Sequence, residues 1–294
     1  MKIALGTVQL GLDYGISNRA GQVSPEEARR ILALAGRSGI RVLDTAAAYG
    51  DAEQRLGELL PPDAAFDVVT KLPRLPAEPG PGVAQWVRDR LAESLQRLRV
   101  PRLYGLLMHQ AADLLGPQGD ALWAALEAAR AAGTVMKVGA SVYTGTEIDA
   151  LLGRFPLQLI QLPLSVLDQR LVRSGHLAKL RKAGVEVHAR SVFLQGVLLM
   201  APEDLPAHLA PAREPLRALR AAARAAGRMP LDLALGCVLR QPEVDRAVLG
   251  VTREEELAEI LAAAQRPSAA QLDCGAFALD DEAILNPGRW PTRR

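Results

Sequence analysis

The stretch Arg41-Val-Leu-Asp-Thr-Ala-Ala-Ala-Tyr-Gly50 sets the reading of the whole chain. An apolar run, Ile40 to Leu43, has the length of a buried strand and passes straight into a carboxylate, Asp44. Tyr49, one of four tyrosines, follows five positions later on a predicted loop. Two later runs stop in the same manner, Phe66-Asp-Val-Val-Thr70 at Lys71 and Tyr104-Gly-Leu-Leu-Met108 at His109. An acid, a phenol, an ammonium and an imidazole therefore stand at or just past the C-terminal ends of three successive strands. In a parallel α/β barrel those ends share one rim, and the active site forms there.

Working outward, short apolar runs alternate with longer amphipathic segments, the signature of repeated βαβ units. Strands are predicted at Ile3–Leu5, Ile40–Leu43, Phe66–Thr70, Tyr104–Met108, Val135–Ala140, Leu157–Gln161, Val185–Ala189 and Ala247–Gly250. Ser24-Pro-Glu-Glu reads as a helix start, with Ser24 as N-cap, Pro25 in the first turn and Glu27 completing a capping box. Ser191 to Ala212 carries no clear periodicity, and two helices, near Pro215–Ala226 and Pro230–Arg240, share the crossover that follows. Eight strands in strict alternation with helices predict one (β/α)₈ TIM barrel over residues 1–294, its tail from Arg266 lying over the barrel or its rim. An open doubly wound sheet is the alternative. Eight even units, and no Gly-x-Gly-x-x-Gly after the first strand, count against it.

Composition narrows the function. The chain has 294 residues, 49% of them hydrophobic, and 35 basic against 33 acidic side chains. That near-balance points to no nucleic-acid or polyanion partner. No apolar run approaches the roughly 18 residues of a membrane span, and the N-terminus lacks a signal-peptide layout. Cys237 and Cys274 are the only cysteines and form no CxxC, so neither a disulfide nor a cysteine zinc site is expected. Cys237 reads as helix packing, and the whole fits a soluble cytoplasmic protein in a reducing compartment. His176, His188 and His208 have no partners at metal-ligand spacing, so no metal is expected.

In order and spacing, Asp44, Tyr49, Lys71 and His109 resemble the catalytic tetrad of the aldo/keto reductases. Leu5-Gly-Thr-Val is similar to that family's opening strand, Asp44-Thr-Ala-Ala-Ala-Tyr-Gly to its first signature, and Gly250-Val-Thr-Arg-Glu to its cofactor segment. The resemblance covers nearly the whole chain and implies NAD(P)H-dependent reduction of aldehydes or ketones, with a small carbonyl compound as substrate. The chemistry agrees with the residue types. Hydride addition places negative charge on the carbonyl oxygen, which must be hydrogen-bonded and protonated. A phenol of ordinary pKa about 10 is a poor acid at neutral pH, and a neighbouring ammonium improves it by favouring the phenolate. Tyr49 is the expected proton donor, Lys71 its tuner, Asp44 the lysine's partner and His109 a second donor to the carbonyl oxygen. Strand one starts too early for the hairpin that closes the barrel floor in many members.

The resemblance also implies cofactor positions. Ser141 and Gln161 match the groups that bond the nicotinamide carboxamide, and Arg190 stands where an aromatic usually stacks on the ring. Ser191, Phe193, Gln195 and Gly196 are similar to the pyrophosphate loop. Gly250 opens the segment in which Thr252 and Arg253 would hold a 2′-phosphate, and Glu259 matches the acid that bonds adenine. This sequence departs from the pattern at Val142 and Ile260, each in place of an asparagine, at Arg190, and at Glu256, where many members carry an arginine. NADP(H) is the expected cofactor, with NAD(H) as the alternative. Two other functions fit less of the pattern. One is a cofactor-binding sensor or regulatory subunit on the same barrel, resembling the potassium-channel β subunits. The other is a barrel lyase or aldolase with Lys71 as a Schiff-base amine. The physiological substrate and the oligomeric state are not legible in the sequence.

Overall fold

Eight short parallel strands close on one another in chain order: β1 (Ile3–Gly6), β2 (Val42–Asp44), β3 (Asp67–Leu72), β4 (Leu103–Met108), β5 (Val135–Ser141), β6 (Leu159–Pro163), β7 (Glu186–Arg190) and β8 (Arg246–Gly250). The structure, a computed structural model, describes residues 1–60, 65–80, 82–266 and 273–291. Pairing of Ile3 with Ala247 and of Gly6 with Gly250 closes the ring. The fold is thus the (β/α)₈ barrel expected, and no hairpin precedes β1 among the described residues.

Strand alternation decides what fills the barrel and what reaches its rim. Ala4, Val42, Val69, Leu107 and Leu159 form a small inner core, with Tyr104 and Val248 packed against it. Gly105 makes room within it, because a Cβ there would lie 2.6 Å from Leu159 Cδ2. Two residues past Val42, Val69 and Leu159, on the same inward face, come Asp44, Lys71 and Gln161. Their neighbours Leu43, Leu106, Val138 and Ile160 face outward into the larger core between strands and helices and are fully buried. Each such side chain contributes roughly 1.5–3 kcal/mol when removed from water.

The opposite, N-terminal end of the barrel is plugged by polar groups. The Tyr104 hydroxyl donates to Glu186 Oε2 at 2.7 Å, Lys137 Nζ donates to the Tyr104 oxygen at 2.9 Å, and Lys137 pairs with Glu186. His188 Nε2 lies 2.7 Å from Glu186 Oε1. Burial opposes the Glu186 charge, but bonds from His188, Lys137 and Tyr104 outweigh it and bring its pKa down to about 2.

The crossover from β7 to β8 builds a second apolar cluster. It joins Val197, Leu209, Leu216 and Leu233 to Phe277, Ile284 and Leu285 of the tail. Here two expectations fail. Cys237 and Cys274 form a disulfide, with Cα atoms 5.9 Å apart. The tail folds back across the helix Pro230–Leu239, a return that a separation of 37 residues does not reveal. The inference of a reducing compartment rested on unpaired thiols and loses that support. The second concerns Glu27. Ser24 caps the helix Pro25–Arg37 as expected, accepting from Glu27 N, but the Glu27 carboxylate does not return to Ser24. It accepts from Glu254 N at 2.6 Å, at the start of the helix Glu254–Gln265, and so ties the first long helix to the last. No helix among the described residues is long and apolar enough to cross a membrane.

Candidate active site

Lys71 is the largest side chain fully removed from solvent, 1% exposed. It was expected just past a strand end but lies inside β3, pointing inward. Its Nζ bonds Asp44 Oδ1 at 2.7 Å and the Thr45 carbonyl at 2.8 Å. Burial works against the ammonium, but Asp44, with help from Tyr49, outweighs it and holds the pKa above the ordinary lysine value. The second Asp44 oxygen accepts from Gln161 Nε2 at 2.7 Å. Gln161, matched by sequence to the carboxamide site, thus has one amide donor engaged with the carboxylate.

Tyr49 sits on the loop between β2 and the helix Ala52–Leu59. Two glycines seat that loop: a Cβ on Gly11 would strike the Tyr49 carbonyl, and one on Gly50 would strike the Gly11 carbonyl. Lys71 Nζ lies 5.1 Å from the centre of the Tyr49 ring. The imidazole of His109, just beyond β4, meets that ring edge-on at 5.7 Å between centroids. Burial, with the positive charges of Lys71 and Arg190, depresses the His109 pKa to about 4, so the ring is neutral near pH 7. Neither the Tyr49 hydroxyl nor a His109 nitrogen bonds any described residue, and both side chains line one groove.

That groove, about 1020 Å³, runs along the C-terminal rim. Its volume is at the upper end for small-molecule sites. All eleven cofactor positions named from the sequence line it: Ser141, Gln161, Arg190, Ser191, Phe193, Gln195, Gly196, Gly250, Thr252, Arg253 and Glu259. Pro287 and Gly288 of the tail also reach its wall, as the placement of the tail over the rim anticipated. The loop after β7 is tightly wound, with Ser191, Leu194 and Gln195 in the left-handed region at φ 59°, 46° and 55°. Such backbone strain in non-glycine residues concentrates at functional sites. Gly196 abuts Ser17 from the loop after β1, leaving no space for a side chain.

Three further arrangements shape the groove. Arg190 reaches from β7 across the end of β6 to β5. Its guanidinium stacks on the Tyr143 ring at 4.1 Å and donates to Ser141 Oγ at 3.3 Å, Val142 O at 3.1 Å and Ser191 Oγ at 3.3 Å. Tyr14, from the loop after β1, brings a second phenol to the groove. Burial, followed by the charge of Tyr49, pushes its pKa up to about 12, against the lowering effects of Arg190 and a bond with Gln195. At the far end, Thr252 and Arg253 are turned onto Glu256. Its carboxylate accepts from Thr252 N at 2.8 Å, from Thr252 Oγ1 at 3.1 Å and from Arg253 at 3.4 Å. A tyrosine two residues past Ser141 was the available signal for Tyr143, whereas Tyr14, whose place in the opening loop allows either lining the pocket or packing, lines the groove.

The barrel and its rim define a class, and the sequence matches it: residues 2–272 fit the Aldo/keto reductase family. The chain belongs to that family. A solved aldo-keto reductase from Bacillus halodurans, in its holo form, superposes with a TM-score of 0.76 at 20% identity, over 98% of this chain and 95% of that one. A Pseudomonas aeruginosa protein assigned as an aldo-keto reductase superposes with a TM-score of 0.66 at 22% identity, over 90% and 89%. At these identities the likeness shows the fold. No curated protein matches the sequence.

Proposed function

We propose that this protein reduces the carbonyl group of a small aldehyde or ketone with a nicotinamide dinucleotide bound along the groove. The observation that carries the reading is the buried Asp44–Lys71 pair set 5.1 Å from the ring of Tyr49, with His109 edge-on to that ring and both facing the groove. A dinucleotide fits the residues present. The groove is long enough to take in the ends of β5, β6, β7 and β8, and Gly196 and Gly250 allow its walls to approach closely. When bound, the reduced nicotinamide supplies hydride to the carbonyl carbon. Ser141, Gln161 and Arg190 would flank that ring. Ser191, Phe193, Gln195 and Gly196 would meet the pyrophosphate, Gly250 and Glu259 the adenosine.

The chain's own part is to place the carbonyl and manage its charge. The Tyr49 hydroxyl and a neutral His109 N–H converge on the oxygen. Tyr49 gives up its proton as the oxygen becomes negative, and the nearby Lys71 ammonium stabilises the phenolate that remains. Asp44 keeps that ammonium charged and in place. A lysine held as an ammonium is a poor amine nucleophile, which argues against a Schiff-base lyase. At the adenosine end, Glu256 accepts from the Thr252 N–H and hydroxyl and, at 3.4 Å, from one nitrogen of Arg253. A carboxylate there repels a 2′-phosphate and accepts from a 2′-hydroxyl, so the favoured nucleotide is NAD(H) rather than the NADP(H) expected from sequence.

The test is Tyr49→Phe. NADH and NADPH binding are followed by fluorescence, and turnover by oxidation of the dinucleotide with a panel of aldehydes. The variant is expected to bind dinucleotide as the natural protein does and to lose turnover by about 10²-fold or more. Full turnover in the variant would refute the assignment of Tyr49. Dinucleotide binding without turnover of any carbonyl in the natural protein would favour the sensor reading.

A further inference from the structure

Around the reacting centre the charges do not cancel. Lys71 is neutralised by Asp44 at 2.7 Å, and His109 is neutral. Arg190 has no carboxylate partner among the described residues: its bonds go to two hydroxyls and one carbonyl. A guanidinium has five N–H groups. Three are engaged here, which leaves one on each terminal nitrogen without a protein acceptor. Tyr143 beneath the plane and the contacts with Ser141, Val142 and Ser191 fix its orientation, so little freedom is lost when it takes up a ligand. The side chain is half-buried, lines the groove, and ends against β5, next to the strand that carries His109. The sequence reading gave this position a stacking role toward nicotinamide. The structure shows a fork in the wall of the groove with two donors that no described residue accepts.

We propose that Arg190 anchors an anionic group of the substrate, so that the compounds reduced are aldehydes or ketones bearing a carboxylate or phosphate. This rests on the reductase reading above. A fixed cation held against dipoles alone, in a site partly shielded from water, is complementary to a negative ligand. A carboxylate or phosphate can accept both free N–H groups side by side. A neutral carbonyl compound leaves that charge unanswered. The same charge disfavours the cationic, oxidised nicotinamide relative to the neutral reduced form, which favours reduction over the reverse reaction.

Matched substrates test this: succinic semialdehyde against butanal, and 4-carboxybenzaldehyde against benzaldehyde, each measured as kcat/KM. The acidic member of each pair is expected to be better by about tenfold or more, the range of a charge-assisted hydrogen bond. In Arg190→Met that ratio should fall by about 10- to 100-fold, and Arg190→Lys, which keeps the charge without the fork, should restore part of it. Calorimetric titration of benzoate against benzamide, into the protein alone and saturated with dinucleotide, gives a readout that needs no turnover. Equal preference in the natural protein would overturn the proposal. So would an Arg190→Met variant that weakens dinucleotide binding while leaving the substrate ratio unchanged. If no carbonyl compound is turned over but benzoate binds in an Arg190-dependent manner, the reductase reading fails and the anion site stands.

Discussion

Replacing Asp44 by asparagine keeps the shape of the side chain and removes the one charge that faces Lys71. The ammonium, 1% exposed, would keep the Thr45 carbonyl at 2.8 Å but no carboxylate. The single amide oxygen of the new residue cannot serve both Lys71 and Gln161, so one of them would face an amide nitrogen. Removing one partner of a buried ion pair costs about 3–5 kcal/mol. An independent ceiling agrees: leaving a lysine of ordinary pKa about 10.4 as the free amine at pH 7 costs about 4.6 kcal/mol. With the entropy of unfolding typical of a chain this long, the loss lowers the melting temperature by about 5–8 °C. The pH dependence identifies the cause. In the natural protein the Lys71 pKa is raised, so its contribution is present at neutral pH and lost as pH rises through the folded value. In the variant, with the Asp44 charge gone, burial predominates and the folded lysine binds fewer protons than the unfolded one, so stability increases with pH. Calorimetry at pH 7, 8, 9 and 10 should therefore show the gap between the two proteins closing. A melting temperature within 1 °C of the natural protein at pH 7, or a gap that does not change with pH, would refute this account.

Further outcomes are expected at other positions. Glu256→Gln removes a charge that would repel a 2′-phosphate held by Thr252 and Arg253, and a pair of unit charges at contact distance in water is worth about 1 kcal/mol. The affinity ratio of NADPH to NADH, from fluorescence titration at fixed salt, should rise about fivefold, and an unchanged ratio sinks the NAD(H) preference. His109, depressed from 6.5 to about 4, leaves the unfolded chain binding more protons between those values. Its contribution to stability is complete above pH 6.5 and is lost as pH falls toward 4; kcat/KM should likewise show no imidazole inflection between pH 5.5 and 7.5. An inflection that disappears in His109→Gln would contradict the burial of that ring. Reduction of the Cys237–Cys274 bond, which spans 37 positions, should destabilise the oxidised protein by about 3–4 kcal/mol. Cys237→Ser should then melt with no sensitivity to dithiothreitol.

The barrel was readable because its signal is repeated eight times. Each strand is a short apolar run, each helix carries a longer period, and an error in one unit does not alter the topology. The candidate site residues stood out for a related reason: a charged or polar residue at or directly after the end of a buried apolar run contrasts with its neighbours, as Asp44 and His109 do. What stayed hidden were relations between residues that only closure brings together. Glu27 matched a local capping box and instead serves Glu254, 227 positions away. Gln161 matched a ligand contact and also holds Asp44, 117 positions away. Arg190 stood where an aromatic is usual, and no linear pattern shows that a long side chain from β7 reaches Tyr143 beyond β5. The disulfide was missed because the path of the tail depends on packing against a crossover that has no periodicity.

The polar plug of Tyr104, Lys137, Glu186 and His188 lies at the end of the barrel remote from the groove. With Glu186 held near a pKa of about 2, its charge survives any mildly acidic or neutral buffer, and nothing in carbonyl reduction calls on it to change. Three staves of the barrel are thereby fastened at their feet by groups indifferent to whatever happens at their heads. Variants that abolish the chemistry need not loosen the scaffold, and a library built at the rim could wander far before the base gave way.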